Sequence, residues 1–383
     1  MLNKVNIFSR ILLLFVCLIS FSFFALASSE ANSSSEEHTV KVEGTKETSK
    51  EGFNAGETIM EHIADSHFWH LWGDHEHAVS IPLPIIVYTD KGIDMFSSSN
   101  VEHHGQIYKG TNYNYILNHD KVEIVNENGQ LNESATASII DFSITKNVIA
   151  IFISIAFILF IFISSAKSYA SRKNKAPKGI QSVIEPFIIL IRDEVAKPNI
   201  GDRYEKFMPF LLTLFFFIWI NNLLGIIPFF PGGANVTGNI SVALTLGLFA
   251  FIITTFSTNI HYWTHIINTP GVPWWLKFPV PLMPIVELIG VVSKPVVLTL
   301  RLFANITAGH IIILSFICLI FIFGKGGEAM GAGLGVSVAS VLFSVFMDVM
   351  ELLVAFLQAY VFTLLSAIYF GGAKVEHHHE EHH

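Results

Sequence analysis

The chain has 383 residues, 51% of them hydrophobic and only 14% charged, with a formal net charge of −8. Soluble domains run near 25% charged, so this balance, with 34 Phe in long apolar runs, excludes an ordinary soluble protein and points to the membrane. Acids and His gather before residue 145 and at the C-terminus, bases between Lys167 and Lys206, and nothing in that distribution suggests a nucleic-acid partner.

Residues 1–27 read as a secretory signal peptide. Lys4 and Arg10 make the positive end, Ile11–Phe24 the apolar core, and Ala25-Leu26-Ala27 a small-residue cleavage site. A first membrane helix is the other reading; the polar SSEANSSSEEH that follows favours cleavage. Cys17 would leave with the peptide, so Cys318 would have no partner within the mature chain. Residues 28–146 form an exported, His-rich region. Its start is polar and weakly patterned. Further on, AVSIPLPIIVY runs into Asp90-Lys91-Gly92, and KVEIVNENGQL carries Asn128-Gly129, which are strand and turn signals for a small β-containing unit.

The first membrane helix is expected over 147–166. Lys167, Arg172, Lys173, Lys175 and Lys178 follow it and mark a cytoplasmic side, the orientation the signal peptide also requires. Residues 167–206 combine this basic loop with an amphipathic helix, Gly179–Lys197, suited to the interface. The second and third membrane helices fall within 207–259, with Asn221 and Asn222 in the first of them and the polar loop PGGANVTGN between the two. Residues 260–281 return as a cytoplasmic loop with Trp263, Trp274 and Trp275.

Residues 282–372 predict a helical hairpin turning at Gly324–Gly335, and 373–383 a cytoplasmic His/Glu tail. Leu282–Phe323 would extend roughly 63 Å as one helix and Ser337–Phe370 about 50 Å, against a hydrocarbon core of about 30 Å. Each helix therefore breaks or tilts strongly, and the lack of Pro after Pro295 favours tilt. The expected fold is an all-α polytopic membrane protein. It has about five membrane helices, the last two long and tilted, plus the small exported region.

Arg301 stands in an otherwise apolar stretch, where a guanidinium costs about 2.5–3.5 kcal/mol even on the mildest scale. At about 100° per residue, Asn305, Lys294 and Glu287 fall within about 40° of its face, and His310 on the opposite one. On the next helix Glu351, Gln358 and Tyr369 share one line, with Asp348 about 60° off it. Such a stripe is costly against lipid and suits protein or a proton path. Plainer roles stay open: snorkelling for Lys294, an interface position for Glu287, an aromatic belt for Tyr369, an interhelical hydrogen bond for Gln358, and an ion pair of Arg301 with Glu351 or Asp348. His310 and Glu351 could together form a relay.

SKPVVLTLRLFANITAGH (Ser293–His310) resembles the signature helix of subunit a of F-type ATP synthases. VELIGVVSKP, NISVALTLGL and LLVAFLQAYVFTLLSAIYF agree in order and spacing, so the resemblance covers roughly Glu185 to Tyr369. The exported region lies outside the family's common core and is similar to the extended N-termini of some bacterial members. The resemblance implies a proton-translocating stator subunit in the bacterial inner membrane, partnered by a c-subunit ring, the b-subunit peripheral stalk and the rest of the synthase. It implies no cofactor, no metal and no nucleotide site on this chain. Arg301 would be the essential arginine facing the ring, with Asn305 beside it and Gln358 approaching from the next helix. His310 and Glu351 would line the half-channel open to the outside, and Glu287 would serve the cytoplasmic one. Tyr369 matches a family-typical aromatic to which no role attaches. Many bacterial members carry an aspartate where this chain has Gly225, so Asn222 and His310 would take over proton uptake. Val297 replaces a serine two residues after the Lys-Pro.

Two rival readings come from the residues alone. His62, His67, His70, His75, His77, His103 and His104 suggest a zinc-binding transporter, and EHHHEEHH a metal site or a solvated tail. A receptor or scaffold would need no embedded Arg.

Overall fold

A computed structural model describes residues 54–72, 79–101, 107–118, 120–126, 128–172, 176–227, 232–257, 282–324 and 329–372. The expected signal peptide, the cytoplasmic loop at 260–281 and the C-terminal tail lie outside the described residues.

The N-terminal unit opens with helix α1 (Ala55–Ile63) and continues with strands β1 (Phe68–Trp72) and β2 (Val79–Pro82), paired antiparallel. The Asp90-Lys91-Gly92 signal becomes the turn of a hairpin between β3 (Pro84–Thr89) and β4 (Gly92–Ser97), closed by the pair Thr89 and Gly92. Gly92 sits at φ 133°, a region that disfavours a side chain. Alternation on β3 turns Ile85, Val87 and Thr89 inward. A second sheet joins β5 (Tyr108–Lys109), β6 (Asn114–Asn118) and β7 (Lys121–Val125). Ile85, Val87, Phe96, Val101, Tyr115, Val122 and Ile124 make the small core, in which the Tyr115 hydroxyl donates to Asp94 at 2.6 Å. The short helix α2 (Glu133–Thr136) and strand β8 (Ile140–Asp141) lead into the membrane part.

Helix α3 (Lys146–Ser171) runs past the expected 147–166, through Lys167 and into the basic stretch. Helix α4 (Ile180–Leu190) carries Pro186 and widens into a π-helical segment, Ile191–Ala196. Its buried Ile184, Ile191 and Val195 are spaced as one helical face, as amphipathicity requires. Helix α5 (Tyr204–Ile226) is the centre of the packing, with Leu211, Leu214, Phe215, Phe216 and Ile218 fully buried. Helix α6 (Ile240–Ser257) is shorter and apolar.

Helices α7 (Leu282–Gly324) and α8 (Met330–Gly372) are each continuous over 43 residues, roughly 64 Å of rise. Pro295 lies inside α7 without ending it. The hairpin connection is tighter than the Gly324–Gly335 turn expected from composition, since α8 starts at Met330 and takes in Gly331, Gly333 and Gly335. Close approach explains the difference: a Cβ on Gly333 would sit 3.1 Å from the Gly324 Cα. Among the described residues, four helical stretches can cross a membrane by length and composition: Lys146–Ser171, Ile180–Ile226, Ile285–Gly324 and Met330–Gly371. Ile240–Phe256 is a shorter apolar helix beside them.

Packing in this part is a matter of shape, because lipid tails are as apolar as leucine. Small residues on α8 (Ala355, Ala359, Thr363, Ser366 and Ala367) lie buried and let α5 come close. Phe207 stacks on Phe370 at 5.0 Å between ring centroids, and Phe187, Phe215, Trp219 and Phe356 form an aromatic cluster among α4, α5 and α8.

Candidate functional site

The buried face of α7 is set by Leu298, Leu302 and Ile306, four residues apart and all in the core. That fixes where the polar residues point. Arg301 and Asn305 fall off this face and are exposed. Among the described residues Arg301 makes no salt bridge, so the ion pair with Glu351 or Asp348 that the sequence left open is not formed. The Asn305 amide donates to the Gln358 side-chain oxygen at 3.1 Å, joining the polar stripes of α7 and α8.

His310 points the other way, into protein. Its Nε2 lies 3.6 Å from Glu351 Oε1, with the two side chains 16% and 4% exposed. This distance is too long for a hydrogen bond, and among the described residues His310 Nε2 and both Glu351 carboxylate oxygens have no hydrogen-bond partner. Two glycines make the room. A Cβ on Gly309 would meet Glu351 Oε1 at 3.0 Å, and one on Gly225 would meet His310 Nε2 at 3.5 Å. The imidazole thus borders Gly225 on α5.

Asn222 is buried beside this pair. Its amide donates to the Ala355 carbonyl at 3.3 Å on α8, and its oxygen accepts from the Thr237 hydroxyl. Thr237 was missed by sequence reasoning, which saw only a polar loop in PGGANVTGN. Asn235 in the same loop accepts from the Gly238 amide, and its own amide nitrogen is buried without a hydrogen-bond partner among the described residues. Composition gave no signal for either residue; Thr237 is distinguished from a turn residue only by its partner on α5.

Glu287 is partly exposed near the start of α7, about 21 Å of helix rise before Arg301. Lys294 and Tyr369 meet across the hairpin, the ammonium 5.6 Å from the ring centroid. Tyr369 therefore has a neighbour that periodicity along one helix could not reveal. The helical stripe of Glu351 and Gln358 is turned inward, each residue 5% exposed.

The described residues include no group of three or more His, Cys, Asp or Glu able to hold a metal ion. His75, His77, His103, His104 and the C-terminal tail of the zinc reading lie outside the described residues.

Residues 148–371 match the family described as ATP synthase A chain, and residues 58–142 match one described as Domain of unknown function (DUF8433). The chain is 47% identical over 241 residues to a protein named ATP synthase subunit a 2 from Chlorobaculum tepidum, covering 61% of this chain and 64% of that one. It is 43% identical over 249 residues to ATP synthase subunit a of Chloroherpeton thalassium, covering 63% and 69%. A more distant relative, ATP synthase subunit a of Anaeromyxobacter sp., is 36% identical over 256 residues, covering 64% and 57%. The shared part thus spans about two thirds of the first two relatives and less of the third.

Proposed function

The chain belongs to the ATP synthase A chain family, and from that premise we propose that it is the proton-conducting stator subunit of an F-type ATP synthase, turning a ring of c subunits. The observation that carries this reading is Arg301: exposed on α7, without a carboxylate partner among the described residues, beside the Asn305–Gln358 bridge. A charge so costly in the membrane calls for a partner beyond this chain.

A ring carboxylate suits that place. It must lose its proton to face Arg301 and regain one to face lipid. The guanidinium stabilises the ionised form and repels a proton hopping straight across. Protons then take one path in, ride the ring, and leave by another. His310, Glu351 and Asn222 serve the path from outside; Glu287, at the other end of α7, serves the cytoplasmic path. Tyr369 with Lys294 lies on the cytoplasmic half of the hairpin. Each charge crossing the membrane yields about 2.3 kcal/mol per 100 mV, which turns the ring and drives ATP formation on the partner head. The N-terminal unit faces outside and the basic stretch after α3 the cytoplasm. The peripheral stalk of b subunits holds the chain still.

The test is Arg301→Ala in the assembled synthase. ATP-driven proton pumping into vesicles should vanish while the head still hydrolyses ATP. Pumping coupled as in the wild type would overturn the proposal.

A further inference from the structure

The N-terminal unit is not tethered to the membrane part by its chain alone. Asp65 accepts hydrogen bonds from the Thr145 hydroxyl at 2.9 Å and the Asn147 backbone N–H at 3.1 Å, so it caps α3 from far away in sequence. The Lys146 ammonium donates to the His62 carbonyl at 3.2 Å, and the Lys146 N–H to the Ser66 carbonyl at 3.0 Å. Ser66 donates to Asp120 at 2.9 Å. Trp69 joins the core of the membrane helices, and α1 packs against α7.

A docking role explains Asp65 and Lys146 but not the seam's unsatisfied groups. His67 is 3% exposed, and among the described residues neither of its ring nitrogens has a hydrogen-bond partner; Asp141 Oδ2 approaches Nε2 only to 3.6 Å. Asn147, also 3% exposed, has a side-chain oxygen without a hydrogen-bond partner among the described residues. Buried polar atoms left alone are costly, and native proteins meet that need with ordered water. The same signature recurs at His310 and Glu351, deeper in the membrane part. The two sets are joined through α1, which ends one turn before His67 and packs against α7, the helix that carries His310.

We infer that the seam between the N-terminal unit and the first membrane helix is the mouth of the outer half-channel, a water-filled passage lined by His67 and Asn147 and held in place by Asp65. The inference rests on the proposed proton path through His310 and Glu351. Among the described residues, the titratable and charged groups that face the seam are His62 from α1, Asp65 and His67 from the segment after it, Asp120 from the β6–β7 turn, Asp141 from β8 and Lys146 from α3. The N-terminal unit then belongs to the conduction path, and protons reach His310 past its base rather than from open lipid headgroups.

The test uses the whole synthase in proteoliposomes. Asn147→Leu and His67→Phe fill the seam with apolar groups. Passive proton conduction per assembled complex should fall to the leak of protein-free vesicles, while ATP hydrolysis by the head stays as in the wild type. Wild-type conduction in both variants would overturn the inference. Asn147→Cys in a Cys318→Ser background gives a second arm that needs no bulky side chain. A water-soluble thiol reagent added outside should label it and block conduction; a thiol that stays unlabelled would overturn the inference even if the bulky variants do not assemble. Glu351→Gln is run beside them. If it stops conduction while the seam variants conduct normally, only the seam is refuted. If it too conducts normally, the proton path beneath the inference fails.

Discussion

Nine residues separate Arg301 from His310, about 13.5 Å of rise and half a turn of phase. One helix thereby presents a fixed charge to its exposed face and a titratable ring to its buried one. The buried ring has Glu351 as its neighbour, with no third group among the described residues completing a hydrogen-bonded triad. If the two act as one relay, their order is unimportant but their pairing is not. Replacing either by Ala should cut proton-driven ATP synthesis by roughly 10²-fold, in the range for losing a positioned acid–base group. Exchanging them, His310→Glu with Glu351→His, should be milder than either loss. Synthesis rates in energised vesicles measure this, and an exchange as damaging as the single changes would rule out a direct pair. The contacts Asn305–Gln358 and His310–Glu351 join residues whose faces were legible from helical phase. Gly309, Gly225 and Thr237 were not. The two glycines contribute space, and which side chain fills a space is a property of the neighbouring helix. Thr237 matters through Asn222, fifteen residues before it.

At the scale of elements, helix existence followed directly from long apolar runs, whereas helix ends did not. Glycine costs about 1 kcal/mol in a helix interior, so the glycines at 331, 333 and 335 read as a turn. They are helical because the crossing at Gly324 and Gly333 rewards the absence of a side chain. The same logic governs α6 against α7. A Cβ on Gly247 would overlap the Thr299 hydroxyl and lie 3.0 Å from the Pro295 carbonyl oxygen, which is backbone and cannot swing away. Thr299 also donates across this contact to the Ala243 carbonyl at 3.3 Å. Gly247→Leu should therefore push α6 off α7 and destabilise the chain by about 1–3 kcal/mol, the usual cost of overpacking. Thermal denaturation in detergent reads the loss. An unchanged midpoint would show that α6 is free to move outward, and that the close approach contributes no stability.

For the molecule as a whole, the N-terminal unit and the helices share a seam of buried charge, so pH should set how firmly they hold together. His67 is raised above its ordinary value of 6.5: burial opposes this, but Asp141, with Asp120 and Asp65 behind it, outweighs burial. Asp141 is lowered from 3.8, again against burial, by His67 and by hydrogen bonds from Ser143. The His67 contribution is complete below pH 6.5 and is lost as pH rises through its raised folded value. The Asp141 contribution is complete above pH 3.8 and is lost as pH falls through its lowered folded value. Their ion pair thus supports the fold most fully between these two limits. Asp65 acts in the opposite sense to Asp141. Burial raises it above 3.8, against the pull of its hydrogen bonds from Asn147 and Thr145 and of Lys146 and His67, so its contribution fades as pH climbs through the acid range. Because Asp65 is common to both proteins, the difference between wild type and Asp141→Asn isolates the pair. Protease resistance of the N-terminal unit in the full chain, followed against pH, should show the two proteins furthest apart between about pH 4 and 6.5 and converging on the alkaline side as His67 loses its proton. A constant difference across that range would mean that Asp141 holds β8 by its hydrogen bonds to Ser143 and not through the imidazole.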